Sequence, residues 1–226
     1  MKLNEVVPWG RNADEYIRMF SLSDADLKGK ILGCGDGPAS FNTEMTEKGR
    51  NVISVDPIYE FSAEKIEERI NHVYDIVIGQ VKKDPSPYVW NFFKSPDEMG
   101  QCRLKSMKRF LSDYEKGRSE GRYKPESLPE LSFPDKVFDL CLSSHFLFLY
   151  SGNLGLDFHI KAISEMLRVS REARIFPLLD HYDNKESAFT VPVMEYFNSK
   201  GYKAETLKVD YEFQIGGNHM MKIKSH

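Results

Sequence analysis

Three glycines at alternate positions and an acidic residue downstream are the residues whose spacing best indicates chemistry. Gly33, Gly35 and Gly37 lie in the stretch ILGCGDGPAS (31–40), directly after a short apolar run. Glycine has no Cβ and tolerates positive φ, so a ligand can lie against bare backbone at such a loop. Asp56 ends the next candidate strand at about the 20-residue interval at which a carboxylate hydrogen-bonds ribose hydroxyls. A strand, a glycine turn and a following helix together predict a nucleotide-binding cradle.

The same loop has other interpretations. A dinucleotide-binding fingerprint has the spacing G-x-G-x-x-G, whereas the spacing here is G-x-G-x-G and Pro38 occupies the place of the last glycine. This departure disfavours a nicotinamide-dependent oxidoreductase. A glycine turn that binds no ligand is the remaining alternative.

A second group of polar side chains follows the fourth predicted strand, 137–144. Its carboxyl end delivers Ser143, Ser144 and His145. Ligands of open α/β sheets lie beyond the carboxyl ends of the strands, so we expect these side chains at the mouth of the pocket. The reference pKa of histidine, ~6.5, makes His145 the best candidate for a general base, with a place in the pocket wall or core as the alternative. The other candidates for this role are Tyr150, His181 and Tyr182.

These patterns resemble those of class I S-adenosylmethionine (SAM)-dependent methyltransferases. LGCGDG (32–37), SVD (54–56) and LSFPDKVFDL (131–140) are similar to motif I, the second-strand acid and the approach to strand four in that family. PWGR (8–11) and SSHFLFLY (143–150) add a likeness to a set of bacterial members. The resemblance implies a Rossmann-like α/β fold, enzymatic methyl transfer, SAM as cofactor and S-adenosylhomocysteine as product.

The resemblance also implies roles for individual residues. Ser127 and the backbone of Leu128 are expected to meet the adenine. Arg11 belongs to a segment that often caps the cofactor pocket in this family, and it is expected to meet the cofactor carboxylate or an acidic substrate; a solvated arginine is the alternative. The implied cofactor-binding residues are Gly33, Cys34, Gly35, Gly37, Asp56, Pro57, Ser127, Leu128, Ser143, Ser144 and Arg11.

One position departs from the family pattern. An acidic residue usually stands two residues before the first glycine of the loop, where this chain has Ile31. The departure has three interpretations: weaker SAM binding, partial compensation by Asp36 within the loop, or a non-catalytic SAM-binding protein.

The acceptor class follows partly by elimination. No N-P-P-[YFW] motif follows strand four, and no cysteine stands after a proline, as C5-pyrimidine methylation requires. Asp180 and His181 are metal-ligand types, but neighbouring residues of an alternating strand converge poorly on one ion, so we expect no metal. A small-molecule or lipid-like acceptor remains. The alternative is a nucleic acid bound by the basic stretch 94–124, which has nine Lys/Arg and five Asp/Glu and is otherwise a solvated helix face.

Composition and length set broader expectations. The chain has 226 residues, 41% hydrophobic and 29% charged residues, and a formal net charge of −3. These values fit a single domain over 1–226 and give no global sign of a polyanion partner. We also expect no membrane span, no signal peptide and no disulfide frame from the three separated cysteines, and therefore a cytoplasmic protein.

The hydrophobic pattern predicts alternating strands and helices. A cap helix is expected within about 1–28 and a helical insert within about 83–130. Short strands are expected at 121–124 and 174–183, and a final hairpin pairs 205–215 with 220–224 around the turn Gly216-Gly217-Asn218. With the resemblance, these elements imply a seven-stranded, mostly parallel sheet that ends in an antiparallel β-hairpin and has helices on both faces.

Overall fold

The computed structural model describes residues 8–180 and 184–225, and its central feature is a seven-stranded sheet. The strands are β1 (Lys30–Cys34), β2 (Asn51–Val55), β3 (Tyr123–Lys124), β4 (Phe138–Ser144), β5 (Ser170–Phe176), β6 (Tyr202–Lys208) and β7 (His219–Ser225). Their order is β3-β2-β1-β4-β5-β7-β6. The first five are parallel, whereas β7 is antiparallel to both β5 and β6. The predicted fold class and its terminal antiparallel pair are confirmed.

Helices cover both faces of the sheet. They are α1 (Ala13–Met19), α2 (Phe41–Glu47), α3 (Ala63–Lys83), α4 (Pro96–Ser119), α5 (Leu156–Val169) and α6 (Thr190–Ser199). Successive strand residues point to opposite faces. Leu32 of β1 therefore joins the core under α5 and α6, while the neighbouring Ile31 joins the core under α1 and α2.

The position of β1 brings the predicted site residues to one edge of the sheet. Gly33 pairs with Ser54 of β2 on one side and with Leu142 of β4 on the other. Because the three strands are parallel, their carboxyl ends meet at the same edge. Residues 33–37, which we call the glycine loop, therefore lie beside the ends of β2 and β4, as predicted.

Both predicted ends of the fifth strand are wrong. The fifth strand begins at Ser170, where its pairing with β4 overrides the local sequence, and ends at Phe176 instead of continuing to 183. Pro177 follows directly, and proline has no N–H for the ladder. The last part of that predicted strand, 181–183, lies outside the described residues.

The connection within the final hairpin is also longer than predicted. β6 ends at Lys208, and residues 209–218 form a long loop rather than a short glycine turn. Phe213 in this loop stacks on Tyr88 with a ring-centroid distance of 4.7 Å, and Tyr211 lies edge-on to Phe92. Aromatic burial against 88–93 therefore outweighs the turn signal of the glycines.

The predicted helical insert is part of the packed fold. Its main element, α4, contacts α2, α3 and the edge strand β3. Ser95 caps its start by accepting a hydrogen bond from Glu98 N. Phe110 and Tyr114 of α4 are fully buried with Tyr59 and Tyr123 from the sheet edge.

Acidic neighbours balance much of the positive charge in 94–124. Arg109 pairs with Glu47 of α2, and Arg122 pairs with Asp113 at 2.7 Å. Arg103 is buried and paired rather than presented to solvent. Across the described ranges, no helix has the length and apolar character that a transmembrane segment requires.

Candidate cofactor and acceptor site

A cavity of about 210 Å³ opens at the edge where β1, β2 and β4 end. Its wall combines the glycine loop, the residues after β2, the residues after β4, the turn before 131 and the N-terminal segment 8–16. The lining residues are Pro8, Trp9, Arg11, Tyr16, Gly35, Asp36, Gly37, Asp56, Pro57, Ile58, Glu126, Ser127, Leu128, Ser144, His145 and Phe146. The fold therefore brings segments that lie more than a hundred residues apart in the sequence together in one cavity.

The glycine loop presents backbone to this cavity. Gly35 and Gly37 have φ angles of +71° and +53°, which L side chains rarely adopt. Gly35 N donates to Val55 O at 2.9 Å, so the loop is tied to the end of β2. A Cβ at Gly35 would lie 3.2 Å from the Phe146 ring. Glycine is therefore required here by both conformation and space.

Asp56 lies next to the glycine loop in the wall of the cavity. Its Oδ2 accepts a hydrogen bond from Gly37 N at 2.9 Å, and its Oδ1 accepts one from Ile58 N at 2.9 Å. Burial raises the pKa of this carboxyl, and the two N–H groups oppose the rise. A carboxylate has about four acceptor positions, so two remain for the hydroxyl groups of a ligand.

Asp36 forms a buried polar group beneath the loop. Its Oδ1 accepts from the Tyr16 hydroxyl at 2.9 Å, and its Oδ2 accepts from the Ser54 hydroxyl at 2.6 Å. A Cβ at Gly33 would lie 1.9 Å from Asp36 Oδ2, so Gly33 makes room for this carboxyl rather than for a ligand. Burial raises the pKa of Asp36 to about 6, against the effect of its two hydrogen bonds.

The residues 8–12 close one side of the cavity against the glycine loop. A Cβ at Gly10 would lie 2.0 Å from Pro38 O, so the two segments are in direct backbone contact. Ser40 N donates to Arg11 O at 3.0 Å. The N-terminal segment thus forms one side of the cavity; that it caps a cofactor pocket stays a prediction.

Arg11 contributes positive charge to the cavity wall. Its Nη1 donates to Trp9 O at 3.1 Å, while its Nε is buried without a hydrogen-bond partner in the described part of the chain. Burial and the nearby Arg103 guanidinium lower the pKa of Arg11 to about 10.

A buried ion pair lies near Arg11 and acts on it electrostatically. Arg103 of α4 pairs with Glu15 of α1, and both side chains are almost fully buried. The Tyr211 hydroxyl donates to Glu15 Oε1 at 2.8 Å. Glu15 also acts electrostatically on Arg11, but among the described residues it forms its ion pair with Arg103.

His145 and Ser144 lie in the wall beyond β4. His145 adopts φ +53°, its backbone N–H donates to Phe176 O, and its Nδ1 lies 2.9 Å from Ser144 Oγ. Burial, followed by the charges of Arg11 and Arg103, lowers the pKa of His145 well below its ordinary value. The ring is therefore neutral at physiological pH and able to accept a proton.

Not every predicted site residue reaches the cavity. Gly35, Gly37, Asp56, Pro57, Ser127, Leu128, Ser144, His145 and Arg11 line it, whereas Gly33, Cys34, Ser143 and Tyr150 do not. The Cys34 sulfur faces Cys141 at 3.4 Å between β1 and β4. Tyr150 is buried at the end of a short 3-10 helix. The alternative base candidates His181 and Tyr182 lie outside the described residues.

Sequence reasoning missed Tyr16 and assigned Asp36 only a tentative part. Tyr16 belongs to the apolar stripe of α1, so its pattern indicates core, and nothing local marks its hydroxyl as a partner of the loop.

Within 8–180 and 184–225, no group of three His, Cys, Asp or Glu side chains could hold a metal ion. The expectation of no metal stays a prediction.

Comparisons with known proteins extend these observations. No protein-family model matches the chain. "Uncharacterized protein MJ0045" from Methanocaldococcus jannaschii is 38% identical over 225 residues, which cover 99% of this chain and 98% of that protein. This relative is archaeal, so the expected bacterial type stays a prediction.

A solved structure shares the arrangement of elements. Magnesium protoporphyrin IX methyltransferase from Synechocystis PCC 6803, crystallised with bound SAM, aligns with 95% of this chain and 78% of its own length. The TM-score is 0.50 and the sequence identity is 10%, so the likeness concerns the fold. The chain belongs to the same family as MJ0045, and its fold is that of the class I SAM-dependent methyltransferases.

Proposed function

We propose that 1–226 form a single SAM-dependent methyltransferase domain that methylates a small-molecule or lipid-like acceptor. The observation that carries the proposal is a cavity whose wall combines bare backbone at Gly35 and Gly37 with the adjacent Asp56 carboxylate. This cavity lies at the carboxyl ends of β1, β2 and β4, where open α/β sheets bind ligands. The fold and the cavity support the same function.

The cavity wall offers partners for each part of the cofactor. Asp56 accepts hydrogen bonds from the ribose hydroxyls, next to Pro57 and Ile58. Ser127 and the backbone of Leu128 contact the adenine edge. Arg11 binds the carboxylate of the methionine moiety, since its guanidinium carries positive charge and the residue lines the cavity.

Bound SAM would supply a methyl group already activated by its sulfonium. The protein then has to position the acceptor in line with the methyl group and exclude water. His145 is the proposed general base for acceptors that lose a proton, since its ring is neutral and lines the cavity. Tyr150, the other proposed base, would have to act from outside the lining.

The character of the wall favours a small or lipid-like acceptor. Trp9, Ile58, Leu128 and Phe146 contribute apolar surface, and the N-terminal segment restricts the opening. The nucleic-acid alternative depended on free positive charge in 94–124. Ion pairs of Arg109 and Arg122 with acidic neighbours weaken that alternative.

Calorimetric titration with SAM and with S-adenosylhomocysteine tests cofactor binding directly. We expect both to bind and a co-crystal to show the adenosyl group in this cavity, with its ribose at Asp56 and next to the glycine loop. Absence of binding, or a ligand seated elsewhere, would refute the proposal. Stabilisation by NADH instead would favour an oxidoreductase.

Methyl transfer is tested with methyl-labelled SAM. The protein is incubated separately with a small-molecule extract, a lipid extract and total nucleic acid. We expect label in one of the first two fractions. Label only in nucleic acid would favour that acceptor class, and cofactor binding without any transfer would favour a non-catalytic SAM-binding protein.

A further inference from the structure

His159 of α5 is a fully buried polar side chain that does not line the cavity. Its Nδ1 lies 2.9 Å from Gly155 O, and its Nε2 lies 3.1 Å from Leu147 O. Leu147 directly follows Phe146, which lines the cavity. We propose that His159 is a positioning residue: it holds the Leu147 backbone so that the Phe146 ring stays against the glycine loop in the cavity wall. The inference rests on the proposed function and extends it to a residue that does not touch the cofactor.

The His159 ring donates its proton to Leu147 O. A neutral imidazole has one N–H, so only one of the two carbonyl oxygens can accept from it. The ring is neutral at pH 7, because burial lowers the pKa of His159 more than the two carbonyls raise it. Gly155 O already accepts two backbone N–H groups, those of Phe158 at 3.0 Å and of His159 at 3.2 Å. Leu147 O accepts one backbone N–H, that of Tyr150 at 3.2 Å, so the remaining acceptor position favours the proton on Nε2.

Two aromatic rings keep the imidazole in this orientation. The ring centroids of Phe148 and Phe189 lie 5.2 Å and 5.1 Å from that of His159. Phe148 is itself fully buried, so the imidazole cannot turn without displacing packed side chains. The Nε2–H group thus stays directed at Leu147 O.

The segment 145–147 has an anchor at each end. At one end, the His145 backbone N–H donates to Phe176 O at 2.6 Å. At the other end, the hydrogen bond from His159 fixes Leu147 O. Phe146 lies between the two anchors, so its position depends on both.

Phe146 connects this segment to the glycine loop. A Cβ added at Gly35 would lie 3.2 Å from the Phe146 ring, so the ring is in close contact with the loop backbone. Phe158, which precedes His159 in α5, lies edge-on to the Phe146 ring with a centroid distance of 6.3 Å. The first turns of α5 therefore contact both the backbone and the ring that form this side of the cavity.

Three substitutions separate the hydrogen bond from the packing of the ring. In His159→Gln the amide nitrogen can occupy the place of Nε2 and donate to Leu147 O. His159→Leu fills the site without a donor, and in His159→Asn the shorter side chain places its amide near the Nδ1 position, out of reach of Leu147 O. By calorimetry, we expect S-adenosylhomocysteine to bind His159→Gln like the wild type. We expect it to bind the other two variants about three- to tenfold more weakly, the range for one neutral hydrogen bond.

Lys136→Met is the matched control for a general loss of stability. Lys136 Nζ also donates to backbone carbonyls at α5, those of Leu167 at 2.6 Å and Ser170 at 2.9 Å, but at the end of the helix that lies away from the cavity. We expect a lower free energy of unfolding and an unchanged affinity for S-adenosylhomocysteine.

Two NMR measurements follow the contact without any ligand. Nitrogen shifts of histidine-labelled protein, assigned by the signals missing in His159→Gln, should show the Nε2–H tautomer of His159. The amide signal of Gly35 reports on the Phe146 ring through its ring current. This signal should keep its position in His159→Gln and in Lys136→Met, and it should shift in His159→Leu and in His159→Asn.

The outcomes separate this inference from the proposed function. A wild-type ring protonated at Nδ1 would overturn the positioning role, and this result needs no variant to fold. A Gly35 signal that stays in place in both His159→Leu and His159→Asn would overturn it too, as would a loss of affinity in Lys136→Met equal to that in His159→Leu. If the NMR results are as expected and the wild type does not bind S-adenosylhomocysteine, the proposed function is overturned and the contact of His159 with the segment 145–147 stands.

Discussion

Removing the Asp56 carboxylate should weaken cofactor binding far more than it weakens the fold. Hydrogen bonds to a charged group contribute about 1.5–3 kcal/mol, and 1.4 kcal/mol corresponds to a tenfold change in affinity. If the two ribose hydroxyls share the remaining acceptor positions of this carboxylate, Asp56→Ala should raise the Kd for SAM about 10- to 150-fold. Titration calorimetry with SAM and S-adenosylhomocysteine measures this change.

The same substitution also removes two backbone contacts. Asp56 accepts from Gly37 N and from Ile58 N, and it caps the 3-10 helix Pro57–Glu60. Loss of a comparable helix cap costs about 1 kcal/mol. Chemical denaturation should therefore show a modest loss of stability, with the protein still folded under the conditions of the titration.

Asp139→Ala is the matched control for these two effects. Asp139 also accepts from a backbone N–H, that of Lys30 at 2.8 Å, but it stands at the start of β4, at the opposite edge of the sheet. We expect a similar loss of stability and an unchanged Kd. An Asp56→Ala protein that binds SAM as tightly as the wild type would refute the assignment of the ribose partner.

Three further predictions concern packing and pH. Gly10→Ala places a Cβ 2.0 Å from a carbonyl oxygen next to the glycine loop, so the N-terminal segment should detach and SAM affinity should fall at least tenfold by calorimetry, with far-UV circular dichroism unchanged. In Gly79→Ala the added Cβ in α3 has nothing within 4 Å, so the free energy of unfolding should rise by about 0.5–1 kcal/mol. In Gly117→Ala the added Cβ would lie 2.4 Å from a buried tyrosine ring, so the free energy of unfolding should fall by about 1–3 kcal/mol. Equal values for the two variants in denaturant titrations would contradict this contrast. The pKa of Asp36 is raised to about 6, so the folded state binds its proton more tightly than the unfolded state, and this contribution to stability is lost as pH rises from about 4 to 6. The difference in unfolding free energy, Asp36→Asn minus wild type, should therefore increase by up to about 3 kcal/mol between pH 4 and pH 7. A difference that does not change with pH would show that Asp36 ionises normally.

The parts of the fold that sequence could predict are those set by local patterns. Gly35, Gly37 and Asp56 lie where their spacing indicated, because a strand–turn–helix unit fixes the loop and the next parallel strand fixes the acid. The helix start at Ser95 follows from local capping chemistry. The apolar stripe of α1 likewise predicted its burial.

The remaining features depend on contacts between distant parts of the chain. Gly33 looked like part of the ligand cradle, but its missing Cβ accommodates the Asp36 carboxyl, which only the folded loop shows. Tyr211 was expected within a strand, yet it bonds Glu15 of α1. No local propensity encodes either contact, since both are decided by which segments the sheet brings together.

The buried cluster of Arg103, Glu15 and Tyr211 determines when the cavity can form during synthesis of the chain. Arg103 and Glu15 are 88 positions apart in sequence, and Tyr211 lies 108 positions beyond Arg103. A chain emerging from the ribosome thus has its glycine loop long before the cluster near Arg11 exists. The cavity becomes complete only when nearly the whole polypeptide has been synthesised, so truncation near the carboxyl terminus would disturb a site formed mostly by the first third of the chain.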